Sequence, residues 1–217
     1  MNYLTSLLKE LVAKRKLIWE LSKADFRKRF VGSYFGVVWM FIQPIVTVLI
    51  YWLIFGPIGF KSAPPVPNAS YVQWLIPGIA PWFFFSEALN CGTGCLQEYN
   101  YLVKKVVFNI SVLPVVKIIS AMFVHAFFVL FTIILYAAYG KFPDFYYLQI
   151  IYYSVCVFIL VLGLSYATSA IVIFFRDLTQ IINIVLQVGV WLTPIMWQVE
   201  QFSGSSFYPI LCKLVKF

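Results

Sequence analysis

The side chains able to do chemistry in this 217-residue chain are few and scattered. Cys91 and Cys95 lie four apart on a glycine-rich segment, a spacing that suits close helix packing better than zinc, while Cys156 and Cys212 stand alone. The single histidine, His125, has no serine and aspartate context of the kind a serine-nucleophile enzyme needs, so no catalytic or metal-binding residue is assigned. No glycine-rich loop leads into Lys and Ser or Thr, so the chain lacks the usual cradle for ATP. Energy for any uphill step must come from a partner or an ion gradient. Two ionisable residues stand out instead. Glu87 and His125 each lie thirteen residues into an apolar segment, counted from Trp74 and Val112, near the middle of a bilayer at about 1.5 Å per residue. Ionisable residues at such depth are functional candidates. The expected role is a structural hydrogen bond between them; a proton relay is the alternative.

The elements that must carry these residues follow from composition. Apolar residues make up 62% of the chain and charged residues 11%, against about half and a quarter in soluble domains. This is an integral membrane protein, and its spans must be α-helices because lipid offers the backbone no hydrogen bonds. Positive-inside bias and attraction to anionic headgroups account for the net charge of +8 without nucleic acid. Met1 to Lys16 has no uncharged apolar core, which argues against a secretory signal peptide.

The expected fold is an all-α polytopic bundle: a leader over 1–30 and a transmembrane domain over 31–217. Leu4, Leu7, Leu8, Leu11, Leu17, Leu21 and Ala24 form a stripe among cations, as in a helix or helix pair lying in the headgroup plane. A merely solvated leader is the alternative. Asp25, Arg27 and Arg29 mark the junction where a water-facing chain becomes a membrane chain. Five spans are expected at about 37–55, 74–95, 113–139, 148–175 and 178–197. Pro77 and Pro81 predict a broken or kinked second span, and Gly163, Ser165, Ala167 and Ser169 predict close helix approach in the fourth. With the leader inside, twelve of the sixteen Lys and Arg residues fall on the cytoplasmic side and four outside, so the topology is consistent.

One residue in five is aromatic. Most such rings serve as interfacial belts. Tyr34, Trp39, Trp191 and Trp197 are the candidates for rings near a conduit.

Ordered residues along the chain carry a resemblance. Asp25, Arg27, Arg29-Phe30, Gly32-Ser33, Gly36, Trp39 and Pro44 are followed by Pro77-Gly78-Ile79 and Pro81-Trp82-Phe83-Phe84-Phe85. Leu102-Val103-Lys104-Lys105, Phe108, Leu113-Pro114, Phe174-Phe175-Arg176-Asp177-Leu178 and Thr193-Pro194-Ile195 complete the series. Together they resemble the ABC-2 type permeases that export O-antigen, capsule and teichoic acid polymers. The resemblance implies a homodimeric half-channel in the bacterial cytoplasmic membrane with a cytoplasmic N-terminus, moving a lipid-linked polysaccharide among membrane lipids. It implies no cofactor on this chain, with ATP-Mg held by a partner ABC ATPase subunit. It also implies six spans with re-entrant segments before the last, so that this chain is expected to lack the final one. The coupling element of such permeases lies between the second and third spans, here Glu98, Tyr99, Asn100, Lys104 and Lys105, with Arg176-Asp177 a further cytoplasmic handle; an ordinary polar loop is the alternative. A gradient-driven carrier or a membrane enzyme acting on lipid-linked sugars is the competing class. Carriers commonly contain internal repeats, and none is convincing here.

Overall fold

The computed structural model describes residues 3–29, 34–55, 70–99 and 110–197. Among the described residues every regular element is helical. The leader is a pair of helices, α1 (Tyr3–Ala13) and α2 (Arg15–Lys28), that meet at Lys14. Backbone bonds run through the bend, from the Lys14 N–H to the Glu10 carbonyl and from the Ile18 N–H to the Lys14 carbonyl, both at 2.9 Å.

The face α2 buries follows the expected stripe only in part, with Leu21 half-buried against the cluster around Ile18. Ile18, Ser22 and Asp25, spaced four and three apart, are buried, whereas Leu17 and Ala24 are exposed. The helix is turned by about one residue because Asp25 must meet a cation on the neighbouring helix. Trp19 and Phe26 both pack edge-on against Phe123, at 5.4 and 5.5 Å between ring centroids.

After a 3₁₀ turn, α3 (Trp39–Phe55) is followed by α4 (Tyr71–Glu98), α5 (Val112–Ala138), α6 (Leu148–Val172) and α7 (Leu178–Leu192). At 1.5 Å per residue α4 and α5 are about 40 Å long, enough to cross a hydrocarbon core of about 30 Å. By length and apolarity α5 and α6 are clear candidate spans, and α3 and α7 are shorter apolar helices. α4 is the central element, packing most extensively on α5 and α6 and also touching α3 and α7. Large apolar side chains on α6 and α7 face outward, Ile159 at 62% and Leu192 at 68% exposed, the pattern of a bundle meant for lipid rather than water.

The second span is one unbroken helix despite Pro77 and Pro81. Pro77 has no N–H to offer the Gln73 carbonyl one turn back; the Tyr136 hydroxyl donates to that oxygen instead, at 2.6 Å. The fifth expected span, α7, stops at Leu192, short of Trp197. Thr193, forced out of helical geometry by Pro194, has φ −77° and ψ 129°. The chain then folds back, and the Tyr71 hydroxyl donates to the Met196 carbonyl at 3.0 Å. Between α5 and α6, Gly140 at φ +77° allows the Gly140 N–H to reach the Ala137 carbonyl and the Lys141 N–H the Tyr136 carbonyl, which closes the helix end.

α4 and α6 approach closely where Gly92 faces Ser165. A Cβ on Gly92 would lie 2.2 Å from Ser165 Oγ and 2.7 Å from its Cβ. Gly92→Ala is therefore expected to destabilise the detergent-solubilised protein by about 1–3 kcal/mol, exceeding any gain in helix propensity. Adding Ser165→Gly should restore most of the melting temperature and adding Ser165→Ala little, because the residue 165 Cβ then remains. An unchanged melting temperature in the single variant would contradict this packing.

Candidate functional site

At the end of the bundle where α2, α4 and α5 meet, six charges form an alternating chain. Asp25 on α2 is almost wholly buried, its side chain 1% exposed, and accepts hydrogen bonds from Lys117 Nζ at 2.6 Å and the Tyr99 hydroxyl at 2.7 Å. Lys117, six residues into α5 and equally buried, also donates to Glu98 Oε2 at 2.6 Å. Glu98 reaches outward to Lys28 at 3.2 Å. On the other side Asp25 meets Arg29 at 3.5 Å, and Arg29 pairs with Glu87. The order is Lys28, Glu98, Lys117, Asp25, Arg29, Glu87, three cations and three anions drawn from three elements.

Burial alone pushes the Asp25 carboxyl up, but the hydrogen bonds from Lys117 and Tyr99 outweigh it and hold the group below the usual carboxylate range. Glu98 is held low in the same way, burial being outweighed by Lys117 and Lys28. Tyr99 adds its ring, with Lys117 Nζ 5.0 Å and Lys28 Nζ 5.3 Å from the centroid. The exposed Lys28–Glu98 end contributes little; the Lys117–Asp25 contact is the one that cannot lose a partner without leaving a buried charge.

Of the junction residues, Asp25 and Arg29 enter this network, while Arg27 is exposed. Of the coupling residues, Glu98 and Tyr99 enter it; Asn100, Lys104 and Lys105 lie outside the described residues. Arg176 and Asp177 occupy the exposed turn between α6 and α7. That turn is at the same end of the bundle, since Gln97 Nε2 donates to the Val172 carbonyl at 3.2 Å. Glu87 and His125 do not bond to each other. The leader delivers Arg29 to Glu87, a stronger partner for a carboxylate than a neutral imidazole, and His125 Nε2 lies 3.0 Å from Ser154 Oγ with its ring 4.8 Å from that of Phe84.

Arg29, Glu87, Asn90 and His125 nevertheless share one cavity of about 400 Å³ with Trp39. The four conduit candidates fall in two places. Tyr34, 97% exposed, and Trp39 belong to an edge-to-face series through Phe35, at 5.4 and 5.7 Å. Trp191 packs against Tyr51 at 6.1 Å and accepts at its carbonyl from Trp197 Nε1 at 2.9 Å. Sequence reasoning counted Lys117 only as a topogenic charge. A lone cation inside an apolar helix of 27 residues was the available signal, the same one that singled out Glu87 and His125.

Helices with apolar exteriors around a buried ionic junction define a polytopic α-helical membrane protein. Residues 16–214 match the ABC-2 type transporter family, and the chain belongs to it. The O-antigen export system permease protein RfbA of Myxococcus xanthus is 26% identical over 211 residues, which cover 96% of this chain and 78% of that protein. The protein of the same name from Klebsiella pneumoniae is 26% identical over 208 residues, 92% of this chain and 77% of that one. The polysialic acid transport protein KpsM of Escherichia coli is 30% identical over 81 residues, 36% of this chain.

Lys117→Met is expected to destabilise the protein by about 3–5 kcal/mol near neutral pH by stranding Asp25. In the wild type, Asp25 and Glu98 titrate below their ordinary values. Their contribution to stability is present above the unfolded carboxylate pKa of about 4 and is lost as pH falls through the lower folded values. In Lys117→Met only the Tyr99 hydrogen bond and the longer Arg29 contact are left to oppose the burial of Asp25, its carboxyl protonates nearer neutrality, and the deficit should shrink as the pH is lowered from 7 to 5. Thermal unfolding in detergent at both pH values checks this; a deficit that does not change with pH would refute it.

Proposed function

We propose that the chain is the membrane-spanning permease subunit of an ABC exporter. It moves a lipid-linked polysaccharide, of the O-antigen, capsule or teichoic acid kind, outward across the bacterial cytoplasmic membrane. A separate ATPase subunit binds and hydrolyses ATP-Mg, and two copies of the permease enclose the path. The observation that carries this reading is similarity along nearly the whole chain to permeases named for O-antigen export. The exposed apolar faces of α6 and α7 fit a multi-pass helical subunit among lipids.

In this reading the N-terminus is cytoplasmic and the ionic junction faces the cytoplasm. The ATPase engages residues 98–105 and the turn at Arg176 and Asp177. Placement of Glu98 and Tyr99 beside the leader supports the assignment: a displacement of the α4 end is felt by α5 through Lys117 and by α2 through Asp25. The leader then acts as an element docked on the permease domain, not only as a topogenic signal.

Purification of the tagged chain in mild detergent should recover a soluble ATPase in stoichiometric amount, and cells lacking the chain should lose a surface polymer. Lys104→Glu with Lys105→Glu is expected to reduce ATPase recovery several-fold. Glu98→Ala should lower export by a larger factor than it lowers recovery, because besides its place in the docking segment Glu98 holds the link to Lys117. A stable chain with no ATPase partner and no effect on surface polymer would sink the proposal.

A further inference from the structure

The cavity beside the ionic junction is composed unlike the rest of the bundle. It lies among the end of α2, the start of α3, and the middles of α4 and α5, and its volume of about 400 Å³ is at the small end of ligand sites. Trp39 and Phe83 supply apolar ring surfaces. The polar wall is Arg29, Glu87, Asn90 and His125, which offers donors and acceptors together. His125 Nδ1 is buried and has no hydrogen-bond partner among the described residues.

Charge decides what this wall can hold. Arg29 is the fixed cation in the lining, and Glu87 and Asp25 already engage it. A phosphate or carboxylate would have to compete with both. The lining instead favours a neutral ligand with one apolar face and a rim of groups that donate and accept hydrogen bonds. A sugar ring has that form: axial C–H bonds lie against aromatic faces while vicinal hydroxyls bridge a carboxylate, an amide and a guanidinium. We propose that this cavity is a binding site for a single neutral pyranose unit, set within one protomer beside the Arg29–Glu87 pair. The proposal rests on the polysaccharide-export reading and adds to it a residue-level recognition site that also touches the ionic junction through Arg29. An occupant bonded to Glu87 or Arg29 therefore bears directly on the charges that tie α2 to α4.

The test uses the full chain in detergent and saturation-transfer NMR with uncharged methyl glycosides of mannose, galactose and rhamnose. At least one should receive saturation, and Asn90→Ala and Trp39→Leu should each weaken its binding about fivefold, the loss expected from one hydrogen bond or one ring contact. Inorganic pyrophosphate and methyl glucuronide should not displace it. The proposal is overturned if no neutral glycoside binds, if both variants bind as the wild type does, or if either anion displaces the glycoside. Surface polymer is scored separately in cells. Cells that keep their polymer without the chain overturn the export reading itself, whereas polymer that depends on the chain with no glycoside binding overturns only the cavity assignment.

Discussion

A carboxylate removed from water must take a cation with it, and the arrangement of α2, α4 and α5 depends on that requirement. Asp25 is nearly inaccessible, and Lys117 and Tyr99 both reach it. Desolvating an ion costs several kcal/mol even after relaxation, so the pair persists only because its geometry is good and each partner has a second contact. Lys117 turns to Glu98 and Asp25 to Arg29. The rotation of α2 away from its apolar stripe follows directly. Apolar burial is non-directional and tolerates a helix turned by one residue; a 2.6 Å ionic contact does not.

The same constraint governs the backbone, and tyrosine meets it repeatedly. Tyr136 caps the carbonyl freed by Pro77, Tyr71 the Met196 carbonyl, and Tyr166 the Ser111 carbonyl at 2.7 Å, while Tyr99 serves Asp25. Each places a ring among apolar neighbours and spends its hydroxyl on an oxygen at a helix end, a proline site or a buried carboxylate. The 14 tyrosines are thus partly a hydrogen-bonding resource for a bundle without solvent. Their abundance is not by itself a sign of a sugar path.

Among the described residues the order of the helices follows the apolar segments of the sequence, because hydropathy and breakers report on lipid directly. The end of α7 at Leu192 was written in Thr193-Pro194 but was hidden by the apolar residues that follow. Continuity through Pro77 was not legible, since it depends on Tyr136, 59 positions downstream. The site was half legible. Asp25, Arg29, Glu98 and Tyr99 were named from their places at the junction and after the second span, yet their union through Lys117 was not, because pairing across helices depends on rotation and axial offset. The expected Glu87–His125 bond failed for that reason: equal depth in two spans does not make two residues neighbours when a third element brings a better partner.

Contrast between the two ends of the α4 contact surface bears on how such a subunit can move. At Gly92 the helix meets Ser165 with no room for a methyl group, and steric contacts of that kind change steeply with distance. Five to seven residues away, Glu87 on one side and Glu98 and Tyr99 on the other are held by ionic and hydrogen-bonded contacts. Coulomb attraction falls only as the inverse of separation, though it is weakened by solvent and salt where the partners are half exposed. Alternation matters here, because each of the four inner members has two opposite neighbours, although Asp25 without Lys117 would keep only the longer contact to Arg29. Gly92, six residues before the Glu98 end of α4, is held by steric contact against α6, while Glu98 itself is joined to α2 and α5 by charge. The leader is thereby fastened to α4 by charge, through Lys117 between Asp25 and Glu98 and through the Arg29–Glu87 pair.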